Sequence, residues 1–164
     1  MLDQRVRALA WAWTALLLAA CAEPRWARQT WPSAAVGQLA QPRASVEALE
    51  LELSARAITW EPDAIVVELV STHAGARALT IDPSAVFLEY DGLEYAPARV
   101  EPSGVVVLAG ETDEQVIELR YELGRPLTGA GARLRLRGML DEREPVVDVP
   151  ELPVPAMPAE ARNR

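Results

Sequence analysis

The sequence predicts an all-β protein built as a two-layer antiparallel sandwich, and three observations point there. Apolar residues recur at every second position in several short runs, as a strand with one buried face requires. Asp, Gly and Pro clusters separate those runs. Thirteen prolines and nine glycines in 164 residues suit turns and tails better than long helices.

The elements follow in order. Leu49, Leu51 and Leu53 alternate with Glu50 and Glu52. After a turn at Glu61-Pro62-Asp63, Ile65, Val67 and Leu69 form the next run, and Ser71-Thr72-His73-Ala74-Gly75 has turn composition. Arg77 to Ile81 is a short strand stopped by Asp82-Pro83. Val86, Leu88 and Tyr90 lead into Asp91-Gly92, whose tolerance of positive φ makes it a hairpin signal, and Leu93-Glu94-Tyr95 returns. Val105 to Leu108 closes at Ala109-Gly110. Ile117, Leu119, Tyr121 and Leu123 alternate with charged residues, and Leu134, Leu136 and Met139 make a last strand. The expected core includes Leu51, Val67, Leu88, Leu119 and Leu134.

The chain ends lack this pattern. Residues 22–45 hold Pro24, Pro32 and Pro42 without a persistent period, as a tether would, and Trp26 and Trp31 suit either a headgroup layer or packing on the domain. After Leu140 the chain is acidic and then proline-rich, with Val146 to Val149 as a candidate edge strand and Val149 to Pro158 as an extended polyproline II segment able to offer a contact surface. The expected organisation is a cleaved leader over 1–20, a tether over 21–45, the sandwich over 46–140 and a tail over 141–164.

The leader has the three parts of a secretory signal. Arg5 and Arg7 precede an apolar run, and small residues end it. The run from Ala8 to Ala20 has 13 residues, short of the roughly 20 that a spanning helix needs. Leu18-Ala19-Ala20-Cys21 resembles the lipobox of bacterial lipoproteins. That resemblance implies cleavage before Cys21, a diacylglycerol on its thiol and attachment by lipid to the cell envelope. Ala22 after the cysteine, in place of an Asp, favours the outer membrane over the inner one. Ala20-Cys21-Ala22 also fits the ordinary signal-peptidase pattern, which would release a soluble protein. Cys21 is the only cysteine, so the domain must fold without a disulfide, and its size allows that.

Within the domain, the order Ile65-Val66-Val67-Glu68-Leu69, Ile81-Asp82-Pro83-Ser84, Asp91-Gly92-Leu93-Glu94-Tyr95 and Ala109-Gly110-Glu111-Thr112 resembles the telokin-like, immunoglobulin-like domains of secreted bacterial lipoproteins. Ala109 stands where that family has proline in its turn, and Thr72-His73-Ala74-Gly75 replaces its usual Asn-x-Gly. The resemblance covers about residues 46–140, implies an immunoglobulin-like sandwich, and brings no catalytic residues with it.

Composition narrows the functional classes. A net charge of -8 gives little to gain from neutralising phosphates, so no nucleic-acid partner is expected, and attraction to an anionic membrane surface is not what attaches the chain. All sixteen basic residues are arginine, which removes lysine as Schiff-base nucleophile or general base. His73, the one histidine, is expected as a solvated turn residue; without a free cysteine it has no metal-ligating company, and no G-x-S-x-G elbow offers it a nucleophile. Glu111-Thr112-Asp113-Glu114 and Asp141-Glu142-Arg143-Glu144 lack the spacing of a calcium loop and suit solvated turns. Arg133, Arg135 and Arg137 share one strand face, either as an anion-binding stripe or paired across strands with Glu118 and Glu122. No cofactor, metal site or catalytic residue is expected. The leading functional expectation is a membrane-anchored, non-catalytic interaction module with an envelope protein as partner. The alternatives are a spacer lipoprotein without a specific ligand and, more remotely, a carboxylate-based enzyme.

Overall fold

A computed structural model describes residues 27–30, 41–110, 113–128, 130–146 and 150–158. The leader, Cys21, Trp26, Trp31 and Glu111-Thr112 lie outside the described residues, as do Val147 to Val149.

Fourteen strands among the described residues build an antiparallel β-sandwich. The first layer contains β1 (Ala27–Thr30), β2 (Arg43–Val46), β3 (Leu51–Trp60), β4 (Ala64–His73), β8 (Arg99–Glu101) and β10 (Asp113–Glu122). Its order is β1-β3-β4-β10-β8, with β2 also paired to β3. The three ten-residue strands form its centre, joined in register through Ile58↔Val67 and Leu119↔Val67.

The second layer is broken across its middle. One half is β14 (Glu151–Val154), β11 (Ala132–Leu136), β6 (Val86–Tyr90) and β7 (Leu93–Tyr95), in that order. The other is β13 (Glu144–Pro145), β12 (Met139–Asp141), β5 (Leu79–Ile81) and β9 (Val106–Leu108). The break falls at Pro83–Ala85, a 3₁₀ turn capped by Asp82, which accepts hydrogen bonds from Ser84 N–H at 2.9 Å and Ser84 Oγ at 2.6 Å. Gly138 faces this turn with φ of +73°, and a Cβ there would stand 2.7 Å from the Ala85 Cβ.

The core lies between the layers. Leu51, Val67, Leu88, Leu119 and Leu134 are all buried, as the alternating pattern predicts, together with Tyr90 and Tyr121. The Tyr121 hydroxyl donates to the Val86 carbonyl at 2.9 Å and so ties β10 to β6 across the core. Its burial pushes the phenol well above the ordinary range for tyrosine. Tyr90 Oη accepts from Thr128 N–H at 2.6 Å and lies 2.9 Å from Thr128 Oγ1, fixing the segment after β10. The expected hairpin at Asp91-Gly92 is present, with φ of 53° and 75°.

The structure differs from the sequence expectations in four places. Paired strands overrun the 46–140 boundaries at both ends, because β1 adds to β3 and β14 adds to β11. In β14, Leu152 and Val154 point into the core while Glu151 and Pro153 face out, and an edge strand tolerates a proline. Glu151 to Val154 is therefore part of the sandwich and not a free polyproline II segment. The leucine alternation that starts at Leu49 begins as a 3₁₀ turn over Glu47–Leu49, and the strand runs on to Trp60. His73 is no turn residue: it ends β4, pairs in register with Leu51 and Asp113, and is 3% exposed.

Candidate functional site

The backbone around Arg56 creates an open cleft. Strand β3 has one edge for two partners, because β2 pairs with Leu51 to Ser54 and β1 pairs with Ala57 to Trp60. A β-bulge at Ala55/Ala57 separates the two ladders. The backbone groups left between them find other partners: Ala55 N–H donates to the Pro42 carbonyl at 3.1 Å, and Gln41 Nε2 donates to the Ala55 carbonyl at 3.0 Å. The outward side chains around this junction enclose a solvent-open cleft of about 490 Å³.

Three arginines from three strands line it: Arg28 on β1, Arg43 on β2 and Arg56 on β3. Glu68 on β4 holds two of them. Arg56 donates to Glu68 Oε2 through Nε at 3.0 Å and Nη2 at 2.8 Å, and Arg28 Nη2 donates to Oε1. Arg43 Nη2 donates to Gln41 Oε1 at 3.1 Å, and its Nη1 stands 3.4 Å from Glu52. Thr30, Ser54 and Thr72 add hydroxyls to the lining, and Ala57 and Val70 add a small apolar area. The other lining carboxylate is Glu114.

The stripe recognised in the sequence is arranged differently. Arg133, Arg135 and Arg137 do share the outer face of β11 and its extension. Their partners are not Glu118 and Glu122, which lie on the other layer, where Glu118 stands opposite Glu68 and Glu101. Glu89 stands 3.3 Å from Arg133 and 2.9 Å from Arg135, and Glu151 stands 3.5 Å and 3.0 Å from the same pair. Glu94 joins Arg135 at 3.7 Å and also pairs with Arg137, whose guanidinium lies 5.2 Å from the Phe87 ring centre. Three arginines thus meet three glutamates in a closed network.

His73 lines a smaller cavity of about 160 Å³ with Arg77 and Asp141, which are themselves paired at 2.8 Å. Its Nε2 lies 2.7 Å from the Arg77 carbonyl and donates to it, while Nδ1 has no partner among the described residues. Gly75 is required beside the ring, since a Cβ there would come within 2.5 Å of Cε1. Among the described residues no group of three or more His, Cys, Asp or Glu side chains could hold a metal ion. Cys21, the one site residue singled out in the sequence, lies outside the described residues.

Sequence reasoning missed the cleft because Arg28, Arg43 and Arg56 are separated along the chain and meet only through the pairing of β1 and β2 with β3. The remaining signal was the pair of successive apolar residues Ala57-Ile58, where a bulge interrupts the period of two. No family model, curated protein or solved structure matches the chain.

Proposed function

We propose that the protein is a lipid-anchored lipoprotein of the cell envelope, held through Cys21 in the outer membrane, and that its sandwich is a non-catalytic binding module. The observation that carries the binding role is the cleft beside Arg56. It gathers hydrogen-bond donors in a concave, solvent-open site, as ligand sites do. A spacer without a ligand needs no such concavity. Catalysis finds little support in the cleft, where Glu68 is occupied by two guanidiniums.

The lipobox pattern ending at Cys21 supports the anchor. An acylated cysteine with two or more chains attaches stably, where one chain binds marginally. Anchoring raises the concentration of the module near envelope ligands, so a weak cleft suffices.

The test is intact-mass analysis of the protein from the membrane fraction, with a Cys21→Ser variant beside it. An acylated N-terminal cysteine, and release of the variant from the membrane, are the expected results. A mature soluble protein without lipid would overturn the anchor. An envelope protein partner is sought separately by crosslinking in intact cells, with a Lys substitution at the exposed Val107 of β9 as the control for contact through that sheet edge.

A further inference from the structure

We infer that the cleft where β1 and β2 meet β3 binds an acidic sugar residue, a hydroxylated ring that carries a carboxylate or a phosphate. The inference rests on the binding-module reading and names the ligand class for that site.

Charge is the first argument. The chain is acidic overall, yet three guanidiniums meet at this cleft, and with Glu68 and Glu114 in its lining and Glu52 beside Arg43 the local charge is balanced. An anion is repelled less here than by the acidic remainder of the surface.

Donor capacity is the second. A guanidinium has five N–H donors. Glu68 takes one from Arg28 and two from Arg56, which leaves most of their donors unused by it. The side chains of Arg28, Arg43 and Arg56 are 56%, 61% and 54% exposed, so a ligand can reach them. Glu68, whose own side chain is 15% exposed, acts as a positioning residue that holds two forks in place before a ligand arrives.

The neutral lining is the third argument and separates a sugar from a bare anion. The hydroxyl-bearing side chains of Thr30, Ser54 and Thr72 all line the cleft. Hydroxyl donors and acceptors match a polyhydroxylated ring, and Val70 offers its C–H face a place to rest. The volume of about 490 Å³ suits a ring with its substituents better than a single oxyanion. An extended acidic peptide is disfavoured, because it would take a free strand edge, and β1 and β2 already occupy the edge of β3 here.

The test uses the full chain in detergent micelles, with backbone-amide shifts followed by nuclear magnetic resonance. The probes are glucuronate, glucose 6-phosphate, uncharged glucose, inorganic phosphate and a short poly-glutamate peptide. Saturable shifts at Ser54, Ala57 and Val70 are expected with glucuronate or glucose 6-phosphate at millimolar concentration, and the stronger of the two identifies the acid group. Arg56→Gln and Arg43→Gln should each weaken that binding about tenfold, as loss of a charge-assisted hydrogen bond does. Arg135→Gln on the opposite face should leave it unchanged. The proposal is overturned if both acidic sugars fail to shift these amides, if glucose or phosphate alone binds as tightly, if the peptide binds more tightly, or if both cleft variants bind like the wild type. Acylation of Cys21 is read in the same preparation. Failure at the cleft with acylation intact removes this ligand and leaves the anchor, whereas loss of acylation strikes the anchor alone.

Discussion

Each outer face of the sandwich carries a group of three arginines, and the two groups are used in opposite ways. On β11 and its extension, Arg133, Arg135 and Arg137 stand at a period of two and meet Glu89, Glu94 and Glu151, one carboxylate for each cation. On the other layer, Arg28, Arg43 and Arg56 come from three strands and surround a concavity in which Glu68 serves two of them. A flat face with balanced charges is finished as a surface. A concave face whose guanidiniums are more than half exposed still has donors to give. What distinguishes a candidate site is therefore the exposure of its donors and the shape of the backbone beneath, and not the count of basic residues along one strand.

The comparison presumes that one core supports both faces, and the largest expected effects come from breaking that core. Leu119 is fully buried in the central strand of the first layer, opposite Val67 on one side and Val100 on the other. Leu119→Ala should cost about 2–5 kcal/mol in urea unfolding, through lost transfer energy and the cavity left behind. Leu152→Ala should fall in the same range, about 2–5 kcal/mol, because β14 fills the core from beyond the expected end of the domain. If Leu152→Ala proved neutral, the β11 face would lose the strand that supplies Glu151, and with it the closed network.

A smaller effect joins the layers through one bond. Tyr121→Phe removes the donor to the Val86 carbonyl and should cost about 1–3 kcal/mol by leaving that acceptor unsatisfied. It should also change the alkaline limb of stability. Below the ordinary tyrosine value of 10.0 the phenol is neutral whether folded or unfolded. Above it the unfolded chain releases the proton while burial keeps the folded chain protonated. Tyr121 therefore lowers stability as pH rises past that value, by about 1.4 kcal/mol per pH unit. Denaturation measured from neutral pH into the alkaline range should show this slope in the wild type and a shallower one in Tyr121→Phe.

How much of this was legible in the sequence differs between the faces for a physical reason. The stripe on β11 was visible because one strand carries it, and a period of two needs no tertiary information. Its partners were not visible, since pairing depends on which strands become neighbours, and β6 and β14 lie beside β11, with β7 beyond β6, where β10 was expected. The core of β4, β6 and β10 was legible in Val67, Leu88 and Leu119 because each alternates without a break. The second half of β3 was hidden by its bulge, which puts Ile58 to Trp60 out of phase with Leu51 to Ala57. His73 sits in a segment of turn-forming residues, but pairing with both β3 and β10 overrides that local preference. The cleft needs the bulge and the pairing of β1 and β2 with β3 at once, so nothing in a single window announces it.

Breaking the network on β11 should have a modest effect. Arg135 touches Glu89, Glu94 and Glu151, so Arg135→Gln leaves three carboxylates with two cations. Pairs of this partly exposed kind contribute about 0.2–1 kcal/mol each, and the loss should shrink as salt screens the remaining repulsion. Thermal unfolding at low and high salt measures it. A loss that did not depend on salt would mean that Arg135 acts through packing of its stem and not through charge.

The smallest expected effect on stability belongs to Arg43, and it sharpens the comparison most. Its side chain is 61% exposed, and among the described residues its nearest carboxylate stands at 3.4 Å and its one hydrogen bond is to Gln41. Arg43→Gln should therefore move the unfolding free energy by no more than about 0.5 kcal/mol, the usual range for a surface substitution away from special features. The same change removes one of three cations from the cleft, so affinity for an acidic sugar should fall while stability stays level. Arg135→Gln is its mirror, with lower stability and unchanged affinity. Measuring melting and glucuronate binding on both variants gives four numbers, and the expected pattern is crossed. If Arg43→Gln destabilised the domain as much as Arg135→Gln and left binding untouched, the cleft arginines would be structural partners like those of β11, and the two faces would be alike.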